Sequence, residues 1–360
     1  MSANRKLNLK GMLRADLVEL LAAIGKERYR ADQLVRWLYR HRVSRIEEMS
    51  NLSRDSREHL ASLSYISSLE CLKEQVSEDG TRKFLFRLED GNTIETVLIG
   101  EKERLTICLS TQVGCRMGCK FCLTGASGFI RQLTAAEIVD QVIRVVDLIA
   151  PRQTARGPVT NIVLMGMGEP LDNLEEVVRA LEILLYDDGL QFSSRRITLS
   201  TCGLAPKIIE LGERIEVSLA VSLNATTNEL RSELMPVNRR YDLETLLAAC
   251  RRFPLPGRRR ITFEYILFSG LNDSLEDARR LVRLLSSIPA KINLIPFNEH
   301  PDLPEFKRPA PERIEAFLNY LLERNLTVMT RRSKGADISA ACGQLRGLQS
   351  GAEEVVGGGV

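Results

Sequence analysis

Two hydrophobic periods divide the chain. Between residues 14 and 60 apolar positions recur at helical spacing. Leu17, Val18, Leu20, Leu21 and Ile24 share one face over 16–24, and Gly25 supplies a stop. Leu34, Val35, Trp37 and Leu38 repeat the pattern over 31–39, and a third helix is expected from Ser53. These segments predict a small helical module over 1–64. From 65 to 104 the period falls to two. Arg82 to Leu88 alternates, Glu89-Asp90-Gly91-Asn92 turns, and Thr93 to Ile99 runs on. That pattern predicts a β-hairpin extension. Glu95 lies mid-strand in it, and spacing alone puts this carboxylate on a wet face.

Beyond residue 105, short apolar runs alternate with amphipathic stretches. Strands are expected at 105–110, 160–166, 196–201, 216–222, 260–267, 292–297 and 326–330. Helices are expected at 134–149, 174–187, 204–212, 242–252, 274–287 and 311–324. Alternation of this kind builds a parallel sheet with helices outside it. The fold class is therefore α/β, a partial (β/α) barrel over 105–345, with chemistry at the C-terminal strand ends. Residues 346–360 read as a disordered tail.

Bulk composition changes this picture little. Hydrophobic residues make up 44% and charged residues 27% of 360, which suits a globular protein with a sizeable core. No apolar run is long enough to span a membrane, and residues 1–6 lack the apolar stretch of a signal peptide. Eight cysteines without an export signal imply a reducing, cytoplasmic setting where thiols bind metal or do chemistry. Net charge is +3. Residues 1–60 hold 13 Lys and Arg against 8 Asp and Glu, a local net of +5 that leaves −2 for the rest. A basic module is one way to hold a phosphate backbone, though a solvated helical surface has the same composition. Arg258-Arg259-Arg260 divides evenly between the same two readings.

The densest chemistry is Cys115-Arg116-Met117-Gly118-Cys119-Lys120-Phe121-Cys122, a C-x3-C-x2-C loop after the first barrel strand. Three thiolates can hold three irons of a four-iron cluster and leave the fourth open to a ligand. A structural zinc site wants four ligands, and His41, His59 and His300 lie at no useful spacing from this loop. After the second strand comes Gly166-Met167-Gly168-Glu169-Pro170, where glycines admit a ligand to the backbone and Glu169 offers a carboxylate to an ammonium. Ser200, then Ser222, Leu223 and Asn224, then Asn298 close later strands. Each suits a strand cap, and together they suit ribose hydroxyls and a carboxylate. Cys71, Cys202 and Cys250 read as small buried hydrophobes. Cys342 differs. It lies in a flexible segment of Gly, Ser and Ala with Arg and Lys upstream that favour thiolate.

The cluster loop resembles that of the radical S-adenosylmethionine (radical SAM) superfamily, in which Phe121 would sit beside the adenine. With GMGEP at 166–170, RRITLST at 195–201, MPVNRRY at 235–241, LIPFNEHP at 294–301 and the Cys342 segment, nearly the whole chain resembles the RlmN-type 23S rRNA adenine-C2 methyltransferases. That family also modifies tRNA and is related to the Cfr adenine-C8 enzymes. One departure is Asn224, which stands where the family often has His. The resemblance implies a [4Fe-4S] cluster on Cys115, Cys119 and Cys122. It implies SAM, two molecules per turnover, held by Gly168, Glu169, Ser200, Ser222, Leu223, Asn224 and Asn298. It further implies a methyl group carried on Cys342, Glu95 as acceptor of the ring proton, and Cys108 as the thiol that releases product and forms a disulfide. An electron donor such as flavodoxin, a thiol reductant and a monomeric state are expected with it. A radical SAM enzyme acting on a small molecule would explain the cluster but would leave Cys342 and the basic module idle. A non-catalytic iron–sulfur RNA-binding protein would leave the cofactor-like ring unused.

Overall fold

The computed structural model describes residues 6–149, 157–331 and 333–347. Its centre is one ten-stranded sheet. In chain order the strands are β1 (Glu70–Val76), β2 (Arg82–Arg87), β3 (Thr93–Glu101), β4 (Arg104–Cys108), β5 (Asn161–Leu164), β6 (Ile197–Thr201), β7 (Ser218–Ser222), β8 (Ile261–Leu267), β9 (Ala290–Pro296) and β10 (Thr327–Thr330). Strands β4 to β10 are parallel and neighbour one another in sequence order. Strands β1 to β3 continue the sheet antiparallel from β4. The sheet ends on β10 at one edge and β1 at the other, so it is an open barrel of the expected kind. The hairpin expected at 82–99 is present. A third strand, β1, joins it, and its polar sequence Glu-Cys-Leu-Lys-Glu-Gln-Val hid it from a periodicity argument.

The helices have clear local causes. They are α1 (Arg14–Ala23), α2 (Arg30–Val35), α3 (Arg54–Leu63), α4 (Ala135–Ile149), α5 (Leu174–Leu185), α6 (Ala205–Arg214), α7 (Asn228–Leu234), α8 (Leu243–Arg252), α9 (Leu275–Leu285) and α10 (Pro311–Leu322). Ser53, Asp242 and Ser274 accept from backbone N–H groups in the first turns of α3, α8 and α9, the usual satisfaction of orphan donors. Helix α4 buries Ile138, Val139, Val142, Ile143, Val145 and Val146. Strand β8 is buried at six of its seven positions, as a parallel strand covered on both faces must be. Among the described residues no helix is long and apolar enough to cross a membrane.

The N-terminal helices share the hydrophobic core with the barrel. The module docks on the outside of α4 through a buried Lys10–Asp140 ion pair and an Arg42–Asp147 pair of 2.7 Å, and on α5 through an Asp16–Arg179 pair. The second oxygen of Asp140 accepts from the Leu69 backbone at 2.7 Å. Much of the module's positive charge is spent internally. Arg14, Lys26, Arg30, Arg36, Arg45 and Arg54 each face a carboxylate. Arg259 pairs with Glu216 at 2.6 Å. Arg258–Arg260 precedes β8, at the barrel end opposite the C-terminal strand ends, and that position favours the solvated-loop reading.

The C-terminal segment departs from expectation. The tail predicted at 346–360 begins with two anchored residues. Arg346 and Gly347 donate backbone N–H groups to Glu95 at 2.9 and 3.3 Å. Residues 348–360 lie outside the described residues. Nor is the Cys342 segment loose. Leu123 N–H donates to Gly343 at 2.7 Å, the Thr124 hydroxyl donates to the Leu345 carbonyl, and the Asp337 carboxylate accepts from Ser77 and Glu78.

The Lys10–Asp140 pair yields a stability prediction. Asp140→Ala strands a buried ammonium and frees the Leu69 amide, so it should cost about 3–5 kcal/mol in denaturant unfolding. Asp140→Leu combined with Lys10→Met should recover part of that loss. A single variant as stable as the parent would show that the pair is not what holds the module.

Candidate active site

A cavity of about 170 Å³ lies at the C-terminal ends of β4 to β10. Parallel strands point their last residues the same way, so each contributes one or two groups. Cys108 ends β4, Gly168 and Glu169 follow β5, Ser200 and Thr201 end β6, Ser222 ends β7, and Glu264 and Ile295 come from β8 and β9. Arg331 follows β10, and Ala340 to Gly343 close the side nearest the loop of Cys115, Cys119 and Cys122.

That loop is set by a small antiparallel ribbon, Gln112–Gly114 with Phe129–Gln132. Gly114 has φ +74°, and a Cβ there would stand 1.9 Å from the Gly128 carbonyl oxygen. Only glycine fits. Cys115 N–H then donates to Gly128 at 2.7 Å and Cys122 N–H to Cys119 at 3.2 Å. The Arg116 guanidinium lies 4.0 Å from the centre of the Phe129 ring and pairs with Asp172 at 3.1 Å. Phe121 packs on Phe268 with ring centres 5.4 Å apart, at the cavity wall.

Thiol chemistry dominates the site. All three loop cysteines line the cavity as free thiols. Burial pushes Cys115 up to about 12 and Cys119 well above its ordinary value, and each is raised further by neighbouring thiols. A metal that displaces these protons relieves that cost. Among the described residues no three His, Cys, Asp or Glu side chains are arranged to hold a single metal ion. Three thiols lining one cavity suit the three-cysteine ligation of a [4Fe-4S] cluster.

Beside them is the GMGEP turn. Gly168 has φ +98°, and a Cβ would meet the Gln112 side chain at 2.5 Å, so this backbone lies directly against the cluster ribbon. Gln112 also accepts from Glu169 N–H at 2.8 Å. The Glu169 carboxylate is buried and accepts from Leu171 and Cys202 backbone N–H groups at 3.0 and 2.8 Å. Burial raises its pKa, and hydrogen bonds from Cys202 and Thr201 oppose the rise. A cationic group beside it would further favour the ionised form.

The remaining expected residues are placed unequally. Ser200 lines the cavity and donates to Glu264 at 2.8 Å. Ser222 and Asn224 line it too. Asn224 has φ +58°, a conformation asparagine tolerates better than most residues. Its side chain accepts from Ile266 N–H at 2.9 Å and donates to the Met235 sulfur. Leu223 is fully buried and outside the cavity lining, its carbonyl accepting from the buried Arg231 guanidinium at 3.0 Å. Asn298 also lies outside the lining and accepts from the Ser333 hydroxyl.

Cys108 and Cys342 line the same cavity as unbonded thiols. Cys342 is exposed by area, but that area opens into the cavity. Burial pushes Cys108 up to about 12, with Cys342 adding to the rise and Arg331 opposing it. Cys342 is also raised by burial and pulled down by Arg331. The upstream arginine acts as the sequence suggested, but burial outweighs it. Glu95 is elsewhere. It is buried rather than wet, pairs with Lys83 at 3.0 Å, and faces a second cavity behind the Cys342 segment.

Glu264 escaped the sequence reading, and Cys202, read there as a small buried hydrophobe, lines the cavity as well. Glu264 had a usable signal, a carboxylate inside the apolar strand Ile-Thr-Phe-Glu-Tyr-Ile-Leu. Cys202 follows β6 directly, and its thiol shares a hydrogen bond with Glu169.

Comparison with known proteins agrees with this geometry. Residues 109–283 match the radical SAM superfamily model, and residues 7–66 match the ribosomal RNA large subunit methyltransferase N-terminal domain. The chain is 56% identical over 341 residues to a dual-specificity RNA methyltransferase RlmN of Geobacter sulfurreducens, covering 95% of this chain and 92% of that protein. It is 53% identical to the corresponding Pelobacter propionicus protein, covering 97% and 98%. The crystal structure of a radical SAM methyltransferase from Sphaerobacter thermophilus superposes with a TM-score of 0.87 at 46% identity, covering 94% of this chain and 99% of that one.

The cluster assignment has a direct readout. Anaerobically reconstituted protein should hold about four irons, and Cys115→Ala, Cys119→Ala or Cys122→Ala should each abolish the cluster's visible absorbance. Full iron retention in any one variant would remove that cysteine from the ligand set.

Proposed function

The chain belongs to the RlmN family of radical SAM RNA methyltransferases, and on that footing we propose that it methylates carbon 2 of an adenosine in 23S rRNA, and of tRNA, through a methyl group carried on Cys342. When bound, the [4Fe-4S] cluster and two SAM molecules supply that methyl group and the radical that activates it. The protein's own residues then have separable tasks. Cys115, Cys119 and Cys122 hold the cluster. Gly168 and Glu169 hold the methionine end of SAM, the carboxylate answering an ammonium. Ser200, Ser222 and Asn224 contact its ribose or carboxylate. Leu223 and Asn298, which the resemblance also assigns to SAM, stand beside the cavity lining rather than in it.

The observation that carries the reading is the pairing of Cys108 with Cys342 in one cavity with the loop thiols. Carbon 2 of adenine is electron-poor and offers no lone pair to a sulfonium, so direct methyl transfer fails. A carbon joined first to Cys342 sulfur and then to the ring gives a covalent protein–RNA link. The radical adduct regains aromaticity by losing the ring proton to Glu95 and one electron, for which the bound cluster would be the acceptor. The Cys108 thiolate then attacks Cys342 sulfur, the carbon–sulfur bond breaks with its electron pair passing to the methyl carbon, which takes up a proton, and a Cys108–Cys342 disulfide remains. A thiol reductant must reopen it, and an electron donor such as flavodoxin must charge the cluster. Arg331 beside both thiols favours their ionised forms. We further place the enzyme in the cytoplasm as a monomer.

Incubation with methyl-labelled SAM, dithionite and rRNA fragments should yield 2-methyladenosine by mass spectrometry. Unlabelled RNA would overturn the reading, and an 8-methyl product would move it to the Cfr-type reaction. Cys342→Ala should lose methyl transfer to protein and to RNA. Cys108→Ala should still form the protein–RNA adduct and fail to release it, leaving an adenosine fragment on the Cys342 peptide after nuclease digestion. Release of methylated RNA by Cys108→Ala at the parent's rate would end this division of labour.

SAM affinity should follow the charge of Glu169. Because burial raises that carboxyl group's pKa, binding should weaken on acidification at a pH above the ordinary carboxylate range. Glu169→Gln should bind weakly at all pH values with iron content unchanged. A pH profile identical in parent and variant would take Glu169 out of the site.

A further inference from the structure

Arg231 is fully buried, yet among the described residues its guanidinium meets no carboxylate. Its partners are neutral. Nε donates to the Leu223 carbonyl at 3.0 Å, and Nη2 donates to the carbonyls of Cys202 and Ser222 at 2.7 and 3.1 Å. Nη1 donates to the Asn238 side chain at 3.0 Å. A buried charge without a counter-ion is costly, and burial lowers the Arg231 pKa. The chain makes room for it all the same. Gly203 has φ +113°, and a Cβ there would stand 3.3 Å from Nη2. A neutral side chain of similar length would fill this space without that cost, so what the site uses is the rigid fork of donors.

The carbonyls in that fork belong to two parts of the cavity wall. The β6–β7 ladder ends with Thr201 opposite Val221. Cys202, Ser222 and Leu223 lie just past it, where that ladder no longer sets their separation. Cys202 gives its own N–H to the Glu169 carboxylate at 2.8 Å. Ser222 and Leu223 lead into Asn224, held at φ +58°. The helix that carries Arg231 reaches a third part. The Arg231 carbonyl accepts from Met235 N–H at 2.7 Å, and the Leu234 carbonyl accepts from Lys120 N–H of the cluster loop at 3.0 Å. We propose that Arg231 is a positioning residue for SAM: it fixes the spacing between the Glu169 carboxylate and the end of β7, so that one SAM molecule is met at its ammonium and at its ribose or carboxylate together. The inference rests on the reading that Glu169 answers the ammonium and that Ser222 and Asn224 meet the ribose or carboxylate. It adds what holds those two contacts in register beyond the end of the ladder.

The test compares SAM with 5′-methylthioadenosine, which keeps the adenosine and lacks the amino-acid end. Binding of each to the full-length, cluster-loaded protein is measured by anaerobic equilibrium dialysis. Arg231→Lys keeps the charge and loses the fork. It should still hold about four irons and bind SAM about tenfold more weakly, the scale of one hydrogen bond to a charged group. It should bind 5′-methylthioadenosine as the parent does, because a ligand without the amino-acid end does not sense the spacing. Asn238→Ala removes one anchor of the fork and leaves Arg231 in place. It should show the same selective loss at smaller size, and it decides the matter if Arg231→Lys does not fold. Equal weakening of both ligands would make Arg231 merely structural and overturn the proposal, and so would unchanged SAM affinity. Glu169→Gln separates the inference from the reading beneath it. Selective loss of SAM in Glu169→Gln, with normal SAM binding in the Arg231 and Asn238 variants, strikes the positioning role alone. Unchanged SAM binding in Glu169→Gln strikes the ammonium reading, and the inference falls with it.

Discussion

The site depends on a close approach of backbones at the C-terminal edge of β4. The GMGEP turn lies against Gln112, and the ribbon that launches the cluster loop lies against Gly128, with no room for a Cβ at Gly168 or Gly114. Hydrogen bonds lock the contact, including Glu169 N–H to Gln112 and Gly166 N–H to Leu109 at 3.0 Å. Because two backbones meet there, the loop thiols and the Glu169 carboxylate are fixed relative to each other before any ligand arrives. Preorganisation of this kind keeps a cluster and its ligand from bearing the full cost of ordering their own site.

A second feature is the amount of unneutralised chemistry that this edge buries. Glu169 and the buried thiols are each pushed toward their protonated forms by lost hydration. Arg231 offsets some of this. Its buried guanidinium donates to the carbonyls of Cys202, Ser222 and Leu223, tying the ends of β6 and β7 together. Metal binding at the thiols and a cationic ligand beside Glu169 would offset the rest.

The Cys342 segment adds a constraint of a different kind. It reaches the cavity only because Gly343 and Leu345 bond to the helical turn after the cluster loop, and because Asp337 and Glu95 hold its two ends to the antiparallel strands. The strands β1 to β3 are thus more than an extension of the sheet. They supply the carboxylate, the ammonium and the loop that hold the Cys342 segment in place. These polar contacts act together with Ala340 and Leu345, which join the hydrophobic core.

Much of this was legible in the linear sequence. The seven barrel strands and all the barrel helices α4 to α10 except the short α7 follow from period and length. The cluster loop, the GMGEP turn and Cys342 follow from residue type and spacing, because local chemistry needs those residues close together in the chain. What the sequence could not give is which distant groups share a space. Glu95 reads as a wet strand position until Lys83 and the Arg346–Gly347 backbone engage it. Arg331 and Glu264 look ordinary until parallel strands bring their C-terminal halves to one cavity. That the Leu223 side chain is buried and its carbonyl is engaged by Arg231 is likewise set by the fold. Period-two and period-3.6 patterns fix which face of an element is apolar, and they carry no information about what packs against that face. That second fact belongs to the tertiary structure alone, and it decided which side of the Cys342 segment each functional group occupies.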